Sequence, residues 1–174
     1  MLQSSMSDTQ KPVCLFVGRF QPFHKGHLLV VQGMTKMCSR VVIAIGSAQE
    51  SGTAENPFTA AERRDMIQRA LQGVNVIPMF DVIFVEVPDM EKDEDWTKHV
   101  LDAAGNVHKL WTGNDDTRRC FEGKGIEIQT IKEVPGISAT EIRKRMKEGG
   151  DWKALVPPEV AAYIGEINGV ERVK

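Results

Sequence analysis

Apolar and polar residues follow one another along the chain in blocks that predict strands and helices in turn. Short apolar runs rich in β-branched residues are typical of strands buried in a parallel sheet. Five such runs are present: VCLFVG (13–18), RVVIAIGSAQ (40–49, with the strand ending at Gly46), DVIFVEV (81–87), HKLWTG (108–113) and IEIQTI (126–131). Strands that alternate with helices predict βαβ units with right-handed crossovers.

The segments between these runs carry helical spacing and residues typical of helix ends. Leu28, Val31, Met34 and Met37 repeat at the spacing of a buried helix face. Serine or threonine followed by glutamate three residues later predicts a capping box at Thr59 and at Ser138. The predicted helices span 26–37, 59–71, 93–105, 116–125, 138–150 and 157–173, the last closing at Gly169. We therefore expect an α/β fold, a doubly wound parallel sheet of Rossmann-like form.

Length and composition fit one domain. The chain has 174 residues, of which 41% are hydrophobic, enough for a sizeable core. We expect a disordered N-terminal lead-in over residues 1–11 and a single domain over 12–174. The net charge of −2 argues against a general nucleic-acid binder. No apolar run approaches the roughly 20 residues that a membrane span requires, and the N-terminus lacks the features of a signal peptide.

The cysteines favour a reducing compartment. Cys14, Cys38 and Cys120 are scattered and odd in number, and no C-x-x-C motif occurs. We therefore expect no disulfide framework, a buried structural thiol at Cys14, and a cytoplasmic location.

The stretch GRFQPFHKGH (18–27) is the strongest candidate for chemistry, because it follows the first strand at the edge where α/β sheets bind ligands. His24 and His27 have three interpretations: polar residues at a helix start, zinc ligands, or phosphate contacts. A zinc site requires three or four ligands, and neither His99 nor His108 lies at metal-ligand spacing from another histidine or cysteine.

The phosphate interpretation explains more of the stretch. Gly26 lets the backbone approach a ligand closely, and the helix that starts here presents free N–H groups and a dipole that favour an anion. Arg19 adds a fixed charge with fork geometry. No G-x-x-x-x-G-K-[ST] motif is present, so this is not a Walker A loop.

Two motifs together identify a family. GRFQPFHKGH resembles the H-x-G-H signature of the nucleotidylyltransferase superfamily, and ISATEIRKRM (137–146) resembles its second signature, of the I-S-S-T-x-x-R type. IGSAQESGTAENPFTAAER, WTGN and LVPPEVAAYIGEINGVERV make the chain similar to the archaeal-type nicotinamide mononucleotide (NMN) adenylyltransferases from Val13 to Val173. The resemblance implies that the chain joins NMN to the AMP part of ATP, giving NAD and pyrophosphate.

The resemblance also implies roles for particular residues. Expected catalytic residues are His24, His27, Arg19 and Arg143. Expected ATP contacts are Gly18, Arg19, Phe20, His24, Gly26, His27, Ser138, Thr140 and Arg143. Expected NMN contacts are Asp89, Trp96 and Asn114. The alternative for Trp96 is a residue packed in the core on a helix face, and the alternative for Arg143 is a solvated basic helix face.

The resemblance further implies Mg²⁺ carried by ATP, with no metal site on the protein, and a homo-oligomer. The NMN phosphate is already ionised at pH 7, so no general base is required. Two segments depart from the family pattern, the acidic run Glu91–Asp95 and TGNDDTRR. Two rival functions remain: adenylyl transfer to another phosphate monoester such as phosphopantetheine, and nucleotide sensing without turnover. A third possibility, a fragment of an aminoacyl-tRNA synthetase, does not fit the length of the chain, and the lysine-rich second signature of those enzymes is missing.

Overall fold

A computed structural model describes residues 10–174, and its centre is one five-stranded parallel sheet with strand order β3-β2-β1-β4-β5. The strands are β1 Val13–Gly18, β2 Arg40–Ile45, β3 Val82–Glu86, β4 Lys109–Thr112 and β5 Glu127–Thr130. The doubly wound parallel sheet predicted from the sequence is confirmed. Residues 1–9 of the predicted lead-in lie outside the described residues.

Helices cover both faces of the sheet. They are α1 Lys25–Met37, α2 Ala60–Gly73, α3 Asp93–Ala104, α4 Asp115–Phe121, α5 Ala139–Glu148 and α6 Pro158–Glu166. The larger apolar cluster joins the sheet to α1, α2, α5 and α6, and the smaller one joins it to α3 and α4. Neighbouring residues of β1 point to opposite clusters: Phe16 packs in the first and Leu15 in the second. Burial on both faces explains why the central strands β1 and β2 are almost entirely apolar, whereas the edge strands β3 and β5 are partly exposed.

The C-terminal segment differs from its predicted single helix over 157–173. α6 ends at Glu166, Asn168 takes a left-handed conformation with φ of 54°, and a 3-10 helix follows at Gly169–Val173. After this break the chain packs closely on Phe58 of the larger apolar cluster. A Cβ on Gly169 would lie 2.7 Å from the Phe58 ring. A second 3-10 helix, Lys153–Leu155, was not predicted.

The expectation that the cysteines form no disulfide is wrong for one pair. Cys14 in β1 and Cys38 at the end of α1 are joined by a disulfide, with a Cα–Cα distance of 6.0 Å, and both are buried. Their 24-residue separation matches no disulfide motif, because the pairing depends on how α1 packs back on β1. The argument from cysteines to a reducing compartment therefore fails.

We propose that residues 12–174 form a single domain, since helices from both halves of the chain, such as α2 and α6, pack on each other and on one sheet. Among residues 10–174, no helix has both the length and the apolar character needed to cross a bilayer.

The disulfide predicts a redox-dependent stability. It closes a 24-residue loop that contains the whole GRFQPFHKGH stretch, so removing it frees the unfolded chain and lowers the free energy of unfolding by about 3 kcal/mol. Urea titration of Cys14→Ser/Cys38→Ser measures this, with Cys120→Ser as control. Thiol titration of the denatured, unreduced wild-type protein is expected to find Cys120 alone. Three reactive thiols there, or equal stability of the two variants, would contradict the prediction.

Candidate active site

We use the name main cavity for the one that collects the predicted phosphate-binding residues. It lies at the carboxyl ends of β1, β4 and β5, at the point where the strand order reverses between β1 and β4. Ligands bind at this position in doubly wound sheets. The cavity has a volume of about 420 Å³. It is lined by residues after β1 (Arg19 to Gln21), at the start of α1 (His24, Gly26, His27), after β4 (Gly113, Asn114), after β5 (Ile131 to Val134) and at the start of α5 (Ser138 to Thr140, Arg143).

His24 and His27 cap the N-terminus of α1 in a reciprocal arrangement. The backbone N–H of His27 donates to Nδ1 of His24 at 3.3 Å, and the backbone N–H of His24 donates to Nδ1 of His27 at 3.1 Å. In the usual capping box, a serine or threonine and a glutamate accept the backbone N–H groups of the N-cap residue and of the third helical residue. Here two histidines accept these two N–H groups instead. The rings stack with their centroids 3.5 Å apart.

This cap fixes the tautomer of both rings. A nitrogen that accepts a backbone N–H bears no proton, so each neutral imidazole carries its proton on Nε2. Burial lowers the pKa of His24 from 6.5 to about 4. Burial and then the neighbouring His24 hold the pKa of His27 well below 6.5. At pH 7 both side chains are therefore uncharged and present an Nε2–H donor.

Aromatic rings and two glycines set the position of the histidines. Phe23 stacks on His27 at 5.4 Å, and the Phe20 ring meets His27 edge-on at 4.9 Å. A Cβ on Gly26 would lie 2.9 Å from the His24 ring, and a Cβ on Gly18 would lie 2.9 Å from the Phe20 ring. The glycine of H-x-G-H therefore makes room for the first histidine. Phe20, predicted as an ATP contact, is buried and supports His27 from behind.

Two arginines bring positive charge to the cavity. Arg19 is exposed, and its Nη1 lies 3.4 Å from Oδ1 of Asn56. Arg143 is half-buried, and its Nη1 donates to the backbone carbonyl of Gln21 at 2.8 Å. Burial and then the nearby Arg19 lower the pKa of Arg143, while Glu55 opposes them. Two guanidinium groups near each other favour an anion between them.

A second, more basic groove opens from the same arginines. It has a volume of about 430 Å³ and is lined by Arg19, Arg143, Lys144 and Lys147, with Glu55 as its carboxylate. Because Arg19, Thr140 and Arg143 line both cavities, the two form one continuous surface. Arg143 is half-buried, bonded to Gln21 and part of both cavity walls, and its contact with phosphate stays a prediction.

Ser138 is the N-cap of α5, and its Oγ accepts the backbone N–H of Glu141 at 3.1 Å. The second half of the predicted capping box does not form, because the Glu141 carboxylate pairs with Arg145 at 2.9 Å. The capping box at Thr59 and Glu62 is complete. Ser138 and Thr140 are exposed on the cavity wall, where the free N–H groups of α5 also point.

The three predicted NMN contacts do not lie together. Asn114 lines the main cavity and caps α4, its Oδ1 accepting the N–H of Thr117 at 2.9 Å. Asp89 follows β3, where its carboxylate accepts hydrogen bonds from the Ser47 hydroxyl and the Gln49 amide, each at 2.9 Å. Trp96 is half-buried on α3 and meets Phe121 edge-to-face, with the ring centroids 5.9 Å apart.

Two residues of the site were missed by the sequence reasoning. Gln21 is 1% exposed, and its side-chain amide exchanges two hydrogen bonds of 2.9 Å with the backbone of Phe58. Arg63 is fully buried and donates to the carbonyls of Arg19 and Gly46. Arg63 lies in the apolar stripe of α2 with Ala60, Ile67 and Ala70. A charged residue in such a stripe is visible in the sequence and could have indicated a buried cation.

Within the part of the chain that the structure describes, no three histidine, cysteine, aspartate or glutamate side chains are grouped so as to hold a metal ion. The fold is α/β and Rossmann-like, and the cavity lies at the topological switch point of its sheet. A family model described as cytidylyltransferase-like matches residues 15–145.

Curated relatives narrow the class. The chain is 41% identical to the nicotinamide-nucleotide adenylyltransferase of Thermococcus onnurineus over 92% of its own length and 86% of the relative's. It is 40% identical to the one of Pyrococcus furiosus over the same shares, and 37% identical to the one of Methanolobus tindarius over 91% of both chains. The chain belongs to the nicotinamide-nucleotide adenylyltransferase family.

Solved structures share the fold at lower identity. A bifunctional NMN adenylyltransferase/ADP ribose pyrophosphatase from Francisella tularensis matches 93% of this chain with a TM-score of 0.79 and 23% identity. The match spans half of that longer chain. The same protein was also solved with AMP and a manganese ion, with a TM-score of 0.77. The Plasmodium falciparum nicotinic acid mononucleotide adenylyltransferase, complexed with NaAD, matches 93% of this chain and 98% of its own with a TM-score of 0.66 and 16% identity.

The histidine cap predicts a stability that falls at mildly acidic pH. The pKa of His24 is about 4 when folded and 6.5 when unfolded, so below pH 6.5 the unfolded state binds the extra proton. The contribution of His24 to the free energy of unfolding is therefore greatest above pH 6.5 and falls toward pH 5 by up to about 1.4 kcal/mol per unit, and His27 adds to the slope in the same direction.

Urea titrations at pH 7.5, 6.5, 5.75 and 5 measure this slope. His24→Asn keeps an N-cap acceptor that does not titrate, so its slope is expected to be shallower than that of the wild type. His99→Asn, in α3, is the matched control and keeps the wild-type slope. Equal slopes in the wild type and His24→Asn would refute the assignment.

Proposed function

We propose that this chain is an NMN adenylyltransferase, which transfers the adenylyl group of MgATP to NMN and forms NAD and pyrophosphate. The observation that carries the proposal is the pairing of the Nε2–H donors of His24 and His27 with Arg19 and Arg143 around one cavity. The 41% identity to a curated nicotinamide-nucleotide adenylyltransferase supports the choice of NMN as the acceptor.

The triphosphate of ATP would lie across the starts of α1 and α5. The Nε2–H groups of His24 and His27 would donate to oxygens of the α-phosphate and its neighbour. Ser138, Thr140 and the free N–H groups of α5 would bind further phosphate oxygens. Arg19 and Arg143 would hold the β- and γ-phosphates where the main cavity joins the basic groove. Gly18, Phe20 and Gly26 act through shape, because they position the histidines.

The reaction needs no general base. A phosphate monoester has a second pKa near 6, so the NMN phosphate is mostly a dianion at pH 7. One of its oxygens attacks the α-phosphorus of ATP, the bond from that phosphorus to the bridging oxygen of the β-phosphate breaks, and pyrophosphate leaves with the electron pair. The protein contributes position and charge stabilisation, which suits neutral histidines as donors and arginines as fixed cations.

NMN would bind toward β2 and β3, with its phosphate over the end of β1. Asp89 and Trp96 remain the proposed contacts for the nicotinamide end, and Asn114 would approach NMN from the β4 side. The hydrogen bonds from Ser47 and Gln49 hold the Asp89 carboxylate in place, which supports a positioned rather than a mobile acidic group.

The remaining expectations are kept as part of the proposal. The divalent ion would arrive with ATP, as Mg²⁺, held by phosphate oxygens and water. We also propose a homo-oligomer, supported by the exposure of Leu29 (56%) and Met79 (84%) on one groove. A cytoplasmic location without nucleic-acid partners stays a prediction.

A substrate panel tests the proposed function. The protein is incubated with MgATP and NMN, deamidated NMN or phosphopantetheine, and pyrophosphate release is measured with NAD formation. We expect release with NMN. Release with phosphopantetheine and not with NMN would move the assignment to that substrate, and binding of ATP without release from any acceptor would favour a sensor.

A variant of His27 tests its role as a transition-state donor. His27→Ala removes the imidazole donor together with the acceptor for the His24 N–H. Its thermal stability should fall because of the lost cap, and kcat per folded molecule should fall by about 10²-fold. His99→Ala serves as the control, with kcat unchanged. An unaltered kcat per folded molecule in His27→Ala would remove His27 from the mechanism.

A further inference from the structure

Arg63 is an unusual residue in the core. Its side chain is 0% exposed and is the largest of the fully buried side chains. Within residues 10–174, its hydrogen bonds all go to backbone carbonyls rather than to carboxylates. Burial lowers the pKa of its guanidinium to about 10, which leaves the group charged at pH 7. The charges of Glu86 and Asp89 favour the cation, but neither carboxylate accepts a hydrogen bond from it. A buried cation with no directly bonded anion is costly, and a role beyond packing is expected of it.

The guanidinium joins three segments. Nη1 donates to the carbonyl oxygen of Arg19 at 2.8 Å and to that of Gly46 at 2.7 Å. Nη2 donates to the carbonyl of Ser47 at 3.1 Å, and Nε donates to that of Thr59 at 3.2 Å. One planar group therefore ties the exit of β1, the exit of β2 and the start of α2.

The tied segments carry the proposed substrate contacts. Arg19 is the phosphate-facing cation of the β1 exit. Ser47, in a left-handed conformation with φ of 45°, directs its hydroxyl to Asp89. The last bond of the β1–β2 ladder runs from the Gly46 N–H to the Gly18 carbonyl at 2.8 Å. Beyond it, the Arg63 guanidinium bonds to both exits, and the Gln21 amide joins the same two segments further along through the backbone of Phe58.

We propose that Arg63 is a positioning residue of the adenylyl transfer, which fixes the β1 and β2 exits at one separation so that Arg19 and the Asp89 side of the site face the same pair of substrates. This inference rests on the proposed function. Lysine cannot replace it, because a single ammonium group lacks the planar fork that reaches four carbonyls on three segments.

Two variants and one neighbour test the role. Arg63→Lys keeps the charge, Arg63→Gln keeps a planar amide donor, and Arg64→Lys is the matched control. Arg64 is the next residue of α2, exposed, with its guanidinium 5.3 Å from the Phe84 ring centroid. For each protein, the folded fraction is measured by circular dichroism, and kcat and KM are measured for ATP and for NMN.

A displaced Arg19 and β2 exit weaken both substrate contacts, so KM for ATP and for NMN should rise about tenfold or more in Arg63→Lys and Arg63→Gln, with kcat also reduced. Arg64→Lys should match the wild type. A merely structural role would lower kcat in proportion to the folded fraction and leave both KM values unchanged, and that result would overturn the proposal. Failure of both variants to fold at 15 °C would overturn it in the same way. If the proposed function itself is wrong, the wild-type protein will release no pyrophosphate with NMN, which is a separate outcome.

Discussion

The reciprocal hydrogen bonds between His24 and His27 are the interaction on which the site depends. Each imidazole accepts the other residue's backbone N–H through Nδ1, at 3.3 Å and 3.1 Å. The same bonds start α1, fix the tautomers and leave both Nε2–H groups as donors. Gly26 belongs to this device, because a side chain there would collide with the His24 ring. Helix capping and the proposed phosphate contacts therefore depend on the same two side chains.

The charges around the histidines follow a complementary rule. The imidazoles are kept neutral by burial, which lowers the pKa of both. The fixed positive charge instead comes from the guanidinium groups of Arg19 and Arg143. Neutral donors at the proposed α-phosphate position and fixed cations near the proposed leaving group suit a reaction whose nucleophile arrives as a dianion.

Sequence patterns predicted the sheet well because burial on both faces makes the central strands β1 and β2 apolar runs. They failed where the determining contact is distant in sequence. Cys14 and Cys38 pair because α1 folds back on β1, and the predicted last helix breaks where Gly169 meets Phe58. The histidine pair was found through its spacing and the second signature, but its reciprocal cap was not. Arg63 interrupts the apolar stripe of α2, but its partners are backbone carbonyls, which the pattern of side chains does not identify, so its role was missed.

The strand order explains why a tie between β1 and β2 matters. Asp89 follows β3 and Asn114 follows β4, and these strands are separated by β2 and β1. Three strand spacings of about 4.8 Å put the two exits ~14 Å apart. A nucleotide that touches both must cross the end of β1, where Arg19 and the histidines lie. Any change in the separation of the β1 and β2 exits would move the proposed phosphate contacts relative to the proposed nicotinamide contacts. The buried guanidinium of Arg63 opposes such a change, because it bonds to backbone carbonyls of both exits.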